Sequence, residues 1–284
     1  MGILIPPSIP LIVYGAWVGE SIGKLFIAGI FPGIMLAGLF MGYIAMVSIF
    51  RPERTPGREK ISLKAMASGI PNLLPMGVII FLVLGVIYLG VATPTEAAAL
   101  GASGSLIVAA VYRRLNWQVL KDSSLDTVKI ISMVILLVAG TRIMAMGLAN
   151  LKIPATLCSF VTSVNVTPGL VFVIIVMLYL ILGCFIDAVS MTLLPLPVTY
   201  PLMMSLGFDS VWFGIIFVLL CEVAMITPPV GVNLFVIQGV SKETLYDVAV
   251  GALPFVLVLM AEVVILYFLP GIATWLPTQM IQPF

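Results

Sequence analysis

No histidine occurs among the 284 residues, and only 9% of the chain is charged. The first absence removes the commonest metal ligand and the side chain best suited to proton transfer near neutral pH. An H-E-x-x-H zinc site is therefore excluded, and a G-x-S-x-G nucleophile elbow is missing as well. The second absence lies far below the roughly 25% charged residues of an average soluble domain. With 62% of its residues hydrophobic, the chain has too little polar surface to face water on all sides. Cysteine is scarce too: Cys158, Cys184 and Cys221 stand far apart in apolar stretches. They read as small core residues, not as a disulfide framework or a thiolate metal set. A net charge of +1, without a basic patch interleaved with aromatics, excludes a nucleic-acid partner. The chain opens without a basic n-region, so a cleavable signal peptide is not expected.

What is present is long apolar sequence. Residues 25–50, 65–92, 127–149 and 248–269 each hold at most two charged side chains. Runs of about 20 apolar residues are long enough to cross some 30 Å of hydrocarbon as a helix. Strict period-2 alternation is missing, so barrel strands are not expected. The fold class read from the chain is an all-α integral membrane protein whose first partner is the lipid bilayer.

Lys and Arg concentrate in residues 51–64, with five, and 113–129, with four, out of 13 in all. The positive-inside rule places both stretches in the cytoplasm. The span ending near residue 50 then runs inward, 65–92 outward, 97–112 inward and 127–149 outward again. Beyond Pro168 this simple count fails, because residues 169–182 and 191–205 are each too short to cross. Between them lies a polar stretch, residues 183–190, that starts with Gly183 and holds Asp187 and Ser190. Two short apolar limbs around a polar tip describe a re-entrant hairpin over residues 168–207, entering and leaving on the outer face. Residues 211–240 are long enough to span but are interrupted by Thr227-Pro228-Pro229-Val230-Gly231. Tandem prolines remove two backbone donors, so the helix is expected to break there, at membrane depth.

A similar break opens the chain as Ile5-Pro6-Pro7-Ser8-Ile9-Pro10, and the step from Pro7 to Pro32 equals that from Pro229 to Pro254. Gly29 and Gly251 each precede the second proline by three residues, and Glu20-Ser21-Ile22 parallels Glu243-Thr244-Leu245 after a one-residue shift. The expected organisation is a first-repeat remnant over 1–50, a cytoplasmic loop with scaffold spans over 51–167, and a second repeat over 168–284. The second repeat holds the hairpin, the broken helix at 211–240 and a last span at 248–269. The first broken segment runs outward and the second inward, so the repeats are inverted. Inverted repeats with paired discontinuous helices point to a secondary transporter with its site near the midplane. The partner of the second hairpin would fall before residue 1, which predicts that this chain is a fragment of a longer protein.

A broken helix offers a cation its unpaired carbonyls and an anion the N–H groups of a half-helix. Thr227, Val230, Gly231 and Asn233 combine such carbonyls with small or polar side chains, as an all-oxygen sodium site needs. Asp187 at the hairpin tip is either an ion ligand or an N-cap of the second limb. Glu222 and Glu262 are further intramembrane acids and Arg142 is the intramembrane base, with structural pairing a full alternative for all three. Thr93-Pro94-Thr95-Glu96 reads as a capped helix start, and Gly101 to Gly104 would let a neighbouring helix approach closely.

In order along the chain, Ile5-Pro6-Pro7-Ser8-Ile9-Pro10 with Tyr14-Gly15, Thr93-Pro94-Thr95-Glu96-Ala97-Ala98-Ala99, Gly183 with Asp187, and Glu222 with Thr227-Pro228-Pro229-Val230-Gly231-Val232-Asn233-Leu234 resemble one family. It is the large membrane subunit of the tripartite ATP-independent periplasmic (TRAP) transporters, and the likeness covers essentially the whole chain. The resemblance implies an ion-transporter-like, elevator-type fold in a bacterial or archaeal cytoplasmic (inner) membrane. It implies sodium-coupled import of an organic anion such as a C4-dicarboxylate or sialic acid, with sodium as coupling ion and no other cofactor. Its implied partners are a small membrane subunit and a periplasmic substrate-binding protein. Carried over by residue, Pro6, Pro7 and Ser8, and Thr227, Pro228, Pro229, Val230, Gly231 and Asn233, resemble the two breaks beside the ion sites. Gly183, Asp187 and Ser190 resemble the tip of the outer hairpin, and sodium would be held by Thr227, Val230, Gly231 and Asp187. Ala188 and Ala224 depart from the family's usual proline and glycine. Two readings from other classes stand beside this one: a non-transporting scaffold that binds a partner helix, and an intramembrane enzyme using Asp187 and Glu222.

Overall fold

The computed structural model describes residues 2–50, 63–164, 166–228 and 231–279, with side chains for all of these except residues 63–72 and 232. Every regular element among them is helical. In chain order they are α1 (Ile9–Val18), α2 (Ile22–Ala28), α3 (Ile30–Phe50), α4 (Leu63–Tyr88), α5 (Pro94–Val111), α6 (Trp117–Asn150) and α7 (Ile153–Ser163). There follow α8 (Pro168–Gly183), α9 (Ala188–Leu193), α10 (Leu196–Ser205), α11 (Ser210–Met225), α12 (Val232–Ser241), α13 (Leu245–Phe268) and α14 (Gly271–Thr278). Among the described residues, four stretches are long and apolar enough to cross a membrane: Ile22–Phe50, Pro94–Val111, Trp117–Asn150 and Leu245–Phe268.

The chain forms two compact units. The first comprises residues 2–40 and 133–279, and the second residues 41–132. In the second unit α4 packs on α5. The start of α5 is fixed by a capping box: Glu96 N donates to Thr93 Oγ1 over 3.3 Å and Thr93 N to Glu96 Oε2 over 2.8 Å. Gly101 permits the close approach of the two helices, because a Cβ there would lie 2.8 Å from Val83 Cγ2.

The first unit is organised around α11, in which every residue from Val211 to Ala224 is buried. A helix that is apolar all round belongs in a core, and α1, α2, α8, α9, α13 and α14 all pack against it. Lipid competes with apolar side chains for contact, so association here rests on close packing and on interhelical hydrogen bonds of about 0.6 kcal/mol each on average. Three such bonds hold the helices in place. Tyr14 OH on α1 donates to Ser210 O over 2.7 Å, and Trp212 Nε1 donates to Leu266 O on α13 over 2.8 Å. Tyr179 OH on α8 and Thr199 Oγ1 on α10 share a bond of 3.0 Å. Around Trp212 the rings of Phe172, Phe208 and Tyr267 form a packed cluster, with Phe172 and Tyr267 stacked at 4.8 Å.

The punctuation read from the chain recurs in the element order. A ten-residue helix, α1, leads through a Ser21 N-cap into α2 and α3, and another ten-residue helix, α12, leads through a Thr244 N-cap into α13. Three features differ from expectation. Helix α6 starts ten residues before position 127, because an aqueous end stays helical when its polar side chains pair locally: Gln118 Nε2 reaches Asp122 at 2.9 Å and Lys129 Nζ reaches Asp126 at 2.9 Å. The limb expected at 191–205 is split into α9 and α10 at Leu194 and Pro195, since Pro195 has no N–H to continue α9. The short helices α7 and α14 were not anticipated. The basic residues expected in the 51–64 loop lie outside the described residues, except Lys64, whose side chain is not described.

Candidate functional site

Helix α11 ends at Met225 and α12 begins at Val232. The interruption follows from chemistry: positions 228 and 229 are prolines, so the carbonyls of Ala224 and Met225 cannot receive the usual i+4 amide. Ala224 O instead accepts from Thr227 N at 3.3 Å, and Thr227 Oγ1 donates to Val223 O at 2.6 Å. Gly231 N donates to Thr227 O at 3.2 Å, closing the turn before α12. Gly231 is buried, and a Cβ there would press on Thr227 O at 3.0 Å. Asn233 is half-buried in the first turn of α12. Pro229 and Val230 lie outside the described residues.

The other two segments singled out from sequence meet this end of α11. Helix α8 stops at Gly183, where a Cβ would lie 2.3 Å from Ala224 Cβ, so the hairpin tip touches the last turn of α11. Asp187 caps α9, its Oδ2 accepting from Val189 N at 2.9 Å and Ser190 N at 3.3 Å, while Ser190 Oγ donates to Oδ1. Cys221 Sγ lies 3.9 Å from Ala188 O. From the opposite end of the chain, Ile3 N donates to Glu222 Oε1 at 3.1 Å. Ile3 O accepts from Ser8 Oγ, and Ser8, only 1% exposed, caps α1. Pro6 and Pro7, joined by a cis peptide bond, lie in this turn.

The segments of Gly183, Asp187 and Ser190 and, from the far end of the chain, of Ser8 thus meet residues 221–227, with Ser8 lying 219 positions before Thr227. Their polar groups are oxygens: backbone carbonyls, three hydroxyls that each donate within their own turn, and a carboxylate. Such a set suits a hard monovalent cation and offers no soft donor besides the Cys221 thiol. Beside it, a cavity of about 630 Å³ runs between α12, α13 and Phe40 at the middle of α3, with Glu222, Asn233, Ser241, Glu243 and Asp247 as its polar lining. Its size fits a small organic solute. Sequence reasoning marked Glu222 as an intramembrane acid, as part of the motif before the break and as one of an alternative acid pair, and gave Ile3 and Ala224 no part in these contacts. The small residues Gly183 and Ala224 were the signal available for the tip contact.

A family model described as the tripartite ATP-independent periplasmic transporter, DctM component, matches residues 1–272. The chain belongs to this family. It is 35% identical over 278 residues to the C4-dicarboxylate TRAP transporter large permease protein DctM of Pseudomonas aeruginosa, covering 98% of the chain and 65% of that protein. It is 34% identical to the 2,3-diketo-L-gulonate TRAP transporter large permease protein YiaN of Escherichia coli, over 95% of the chain and 63% of the relative. To the sialic acid TRAP transporter permease protein SiaT of Haemophilus influenzae the identity is 32%, over 99% of the chain and 46% of the relative. The chain therefore spans about two thirds or less of the length of these relatives. As a DctM-family protein it is a membrane protein, and its relatives are permease subunits, not enzymes. The reading of Asp187 and Glu222 as a catalytic acid pair is removed.

Proposed function

We propose that this chain forms the larger part of the membrane subunit of a sodium-coupled secondary importer of organic anions. A periplasmic binding protein would deliver the anion, and a small membrane subunit would complete the complex in the cytoplasmic membrane. The observation that supports this reading is the meeting of the α8–α9 tip and the turn before α1 at the end of α11, three segments that carry Asp187 and Ser190, Ser8, and Thr227. Sodium would be held by Thr227, Asp187 and the carbonyls around Gly231, with Val230 expected to contribute its own. The anion would then be favoured by the adjoining N-terminal ends of the half-helices and by the bound cation itself. The two repeats would be inverted, and one packed unit would move against the rest in an elevator manner. Relatives named for C4-dicarboxylate, diketogulonate and sialic acid support an organic acid as the solute class.

The test is uptake of radiolabelled carboxylates into proteoliposomes holding the full-length permease, its small subunit and the binding protein, with and without an inward sodium gradient. Uptake that needs sodium and is lost in Asp187→Ala and Pro229→Ala is expected. Uptake indifferent to sodium replacement, in a well-folded complex, would overturn the coupling.

A further inference from the structure

Arg142 sits eight residues before the end of α6, in a stretch from Ile130 to Asn150 that holds no other charged residue. At 1.5 Å per residue that is about 12 Å inside the helix end. A lone cation at such a place is costly and needs a function or a partner. Its guanidinium carbon lies 4.1 Å from the centroid of the Trp17 ring, and Nη2 donates to Trp17 O over a long 3.4 Å. No carboxylate pairs with it among the described residues. The acid nearest to Trp17 in sequence, Glu20 just beyond α1, uses Oε1 to accept from Ser21 N at 3.2 Å.

Arg142 opens on a cavity of about 410 Å³ bounded by Trp17 of α1, Ala145 of α6, Lys152 and the first turn of α7, and Pro197 and Pro201 of α10. No acidic side chain lines it, and none of the residues gathered at the end of α11 does. Lys152 holds the N-cap position of α7 in the left-handed region, φ 55°, and gives the helix no side-chain cap. The uncapped end adds partial positive charge on the side where the two full charges stand.

We infer that this cavity binds a carboxylate anion, with Arg142 as the charged donor, Trp17 fixing its plane and Lys152 supplying a second cation. A guanidinium has five N–H donors, and one weak bond leaves a pair of them to meet a carboxylate side by side. The indole face holds the cation without neutralising it. That the anion is the transported solute rests on the importer reading; that the cavity takes an anion does not.

The test places a cysteine at Ala145 in the full-length permease, with Cys158, Cys184 and Cys221 replaced, and measures labelling by methanethiosulfonate reagents in nanodiscs of neutral lipid. The anionic reagent is expected to react about tenfold faster than the cationic one, the effect of roughly 1.4 kcal/mol of charge attraction. The preference should fall in Arg142→Gln, vanish when Lys152→Gln is added, survive in Arg142→Lys, and be suppressed by millimolar succinate but not by chloride at equal ionic strength. Equal rates for the two reagents, or a preference unchanged in Arg142→Gln with Lys152→Gln, would overturn the site. Protection by phosphatidylglycerol in the disc and not by succinate would give the cavity to a lipid phosphate, and would overturn it too. Sodium-dependent uptake is scored separately: its absence with succinate protection intact removes the importer reading and leaves the anion site standing.

Discussion

The backbone N–H of Ile3 donates to Oε1 of Glu222 over 3.1 Å, joining two residues 219 positions apart. Glu222 is 6% exposed and Ile3 half-buried, so the amide is partly shielded from the water that could replace its acceptor. Glu222→Leu should therefore destabilise the protein by about 1 kcal/mol, the low end of the cost of orphaning a donor, while Glu222→Gln keeps an acceptor and loses much less. Thermal unfolding in detergent separates them. Equal midpoints for the two variants would mean that the bond contributes nothing to the fold.

Gly183 has no room for a side chain, since a Cβ would meet Ala224 Cβ at 2.3 Å and Ala224 Cα at 3.0 Å. Overpacking of this kind costs about 1–3 kcal/mol. Gly183→Ala should lower the unfolding midpoint and the uptake rate together. Adding Ala224→Gly removes the clashing methyl, so the double variant should recover most of the loss. A double variant no better than Gly183→Ala would place the fault in the local backbone and not in the contact with α11.

What was legible in the chain was what local chemistry dictates. Pro228 and Pro229 end α11 wherever the rest of the chain goes, and Thr93 with Glu96 caps α5 from within four residues. Charge counting located the long spans but could not see α7, where a short mixed segment starts at Ile153 with Pro154 in its first turn. Nor did it mark the split before α10, although Pro195 stood in plain view, because the limb was judged by its apolar length. The gathering of Ser8, Asp187 and Thr227 depends on packing between distant segments, which no periodicity encodes. Arg142 was visible as an intramembrane base, yet its partner Trp17 lies 125 positions away and only the fold brings it there.

Glu262 is fully buried on α13, one turn before the Leu266 carbonyl that accepts from Trp212, and neither carboxyl oxygen has a hydrogen-bond partner among the described residues. Desolvating a carboxyl without a partner costs free energy that an apolar side chain of similar size does not incur. Glu262→Met should therefore stabilise the protein by about 1 kcal/mol or more at a site this enclosed, and so raise the unfolding midpoint. Glu262→Gln, which keeps two unsatisfied polar atoms, should gain little. A midpoint lowered by Glu262→Met would show that the carboxyl is paired in the assembled protein.

Asp187 has two separable contributions. As the cap of α9 it accepts from Val189 N and Ser190 N, and removing that acceptor in Asp187→Ala should cost about 1 kcal/mol of stability. As a proposed sodium ligand it contributes its charge, which Asp187→Asn removes while leaving a side-chain oxygen to cap the helix. The asparagine variant should therefore unfold at nearly the parent temperature and yet need roughly tenfold more sodium for half-maximal uptake, the effect of about 1.4 kcal/mol of lost cation affinity. The alanine variant should show both defects at once. If Asp187→Asn leaves the sodium dependence unchanged while Asp187→Ala lowers stability, Asp187 serves the hairpin tip as a cap alone. The cation would then be held by Thr227 and the carbonyls of the α11 break without it.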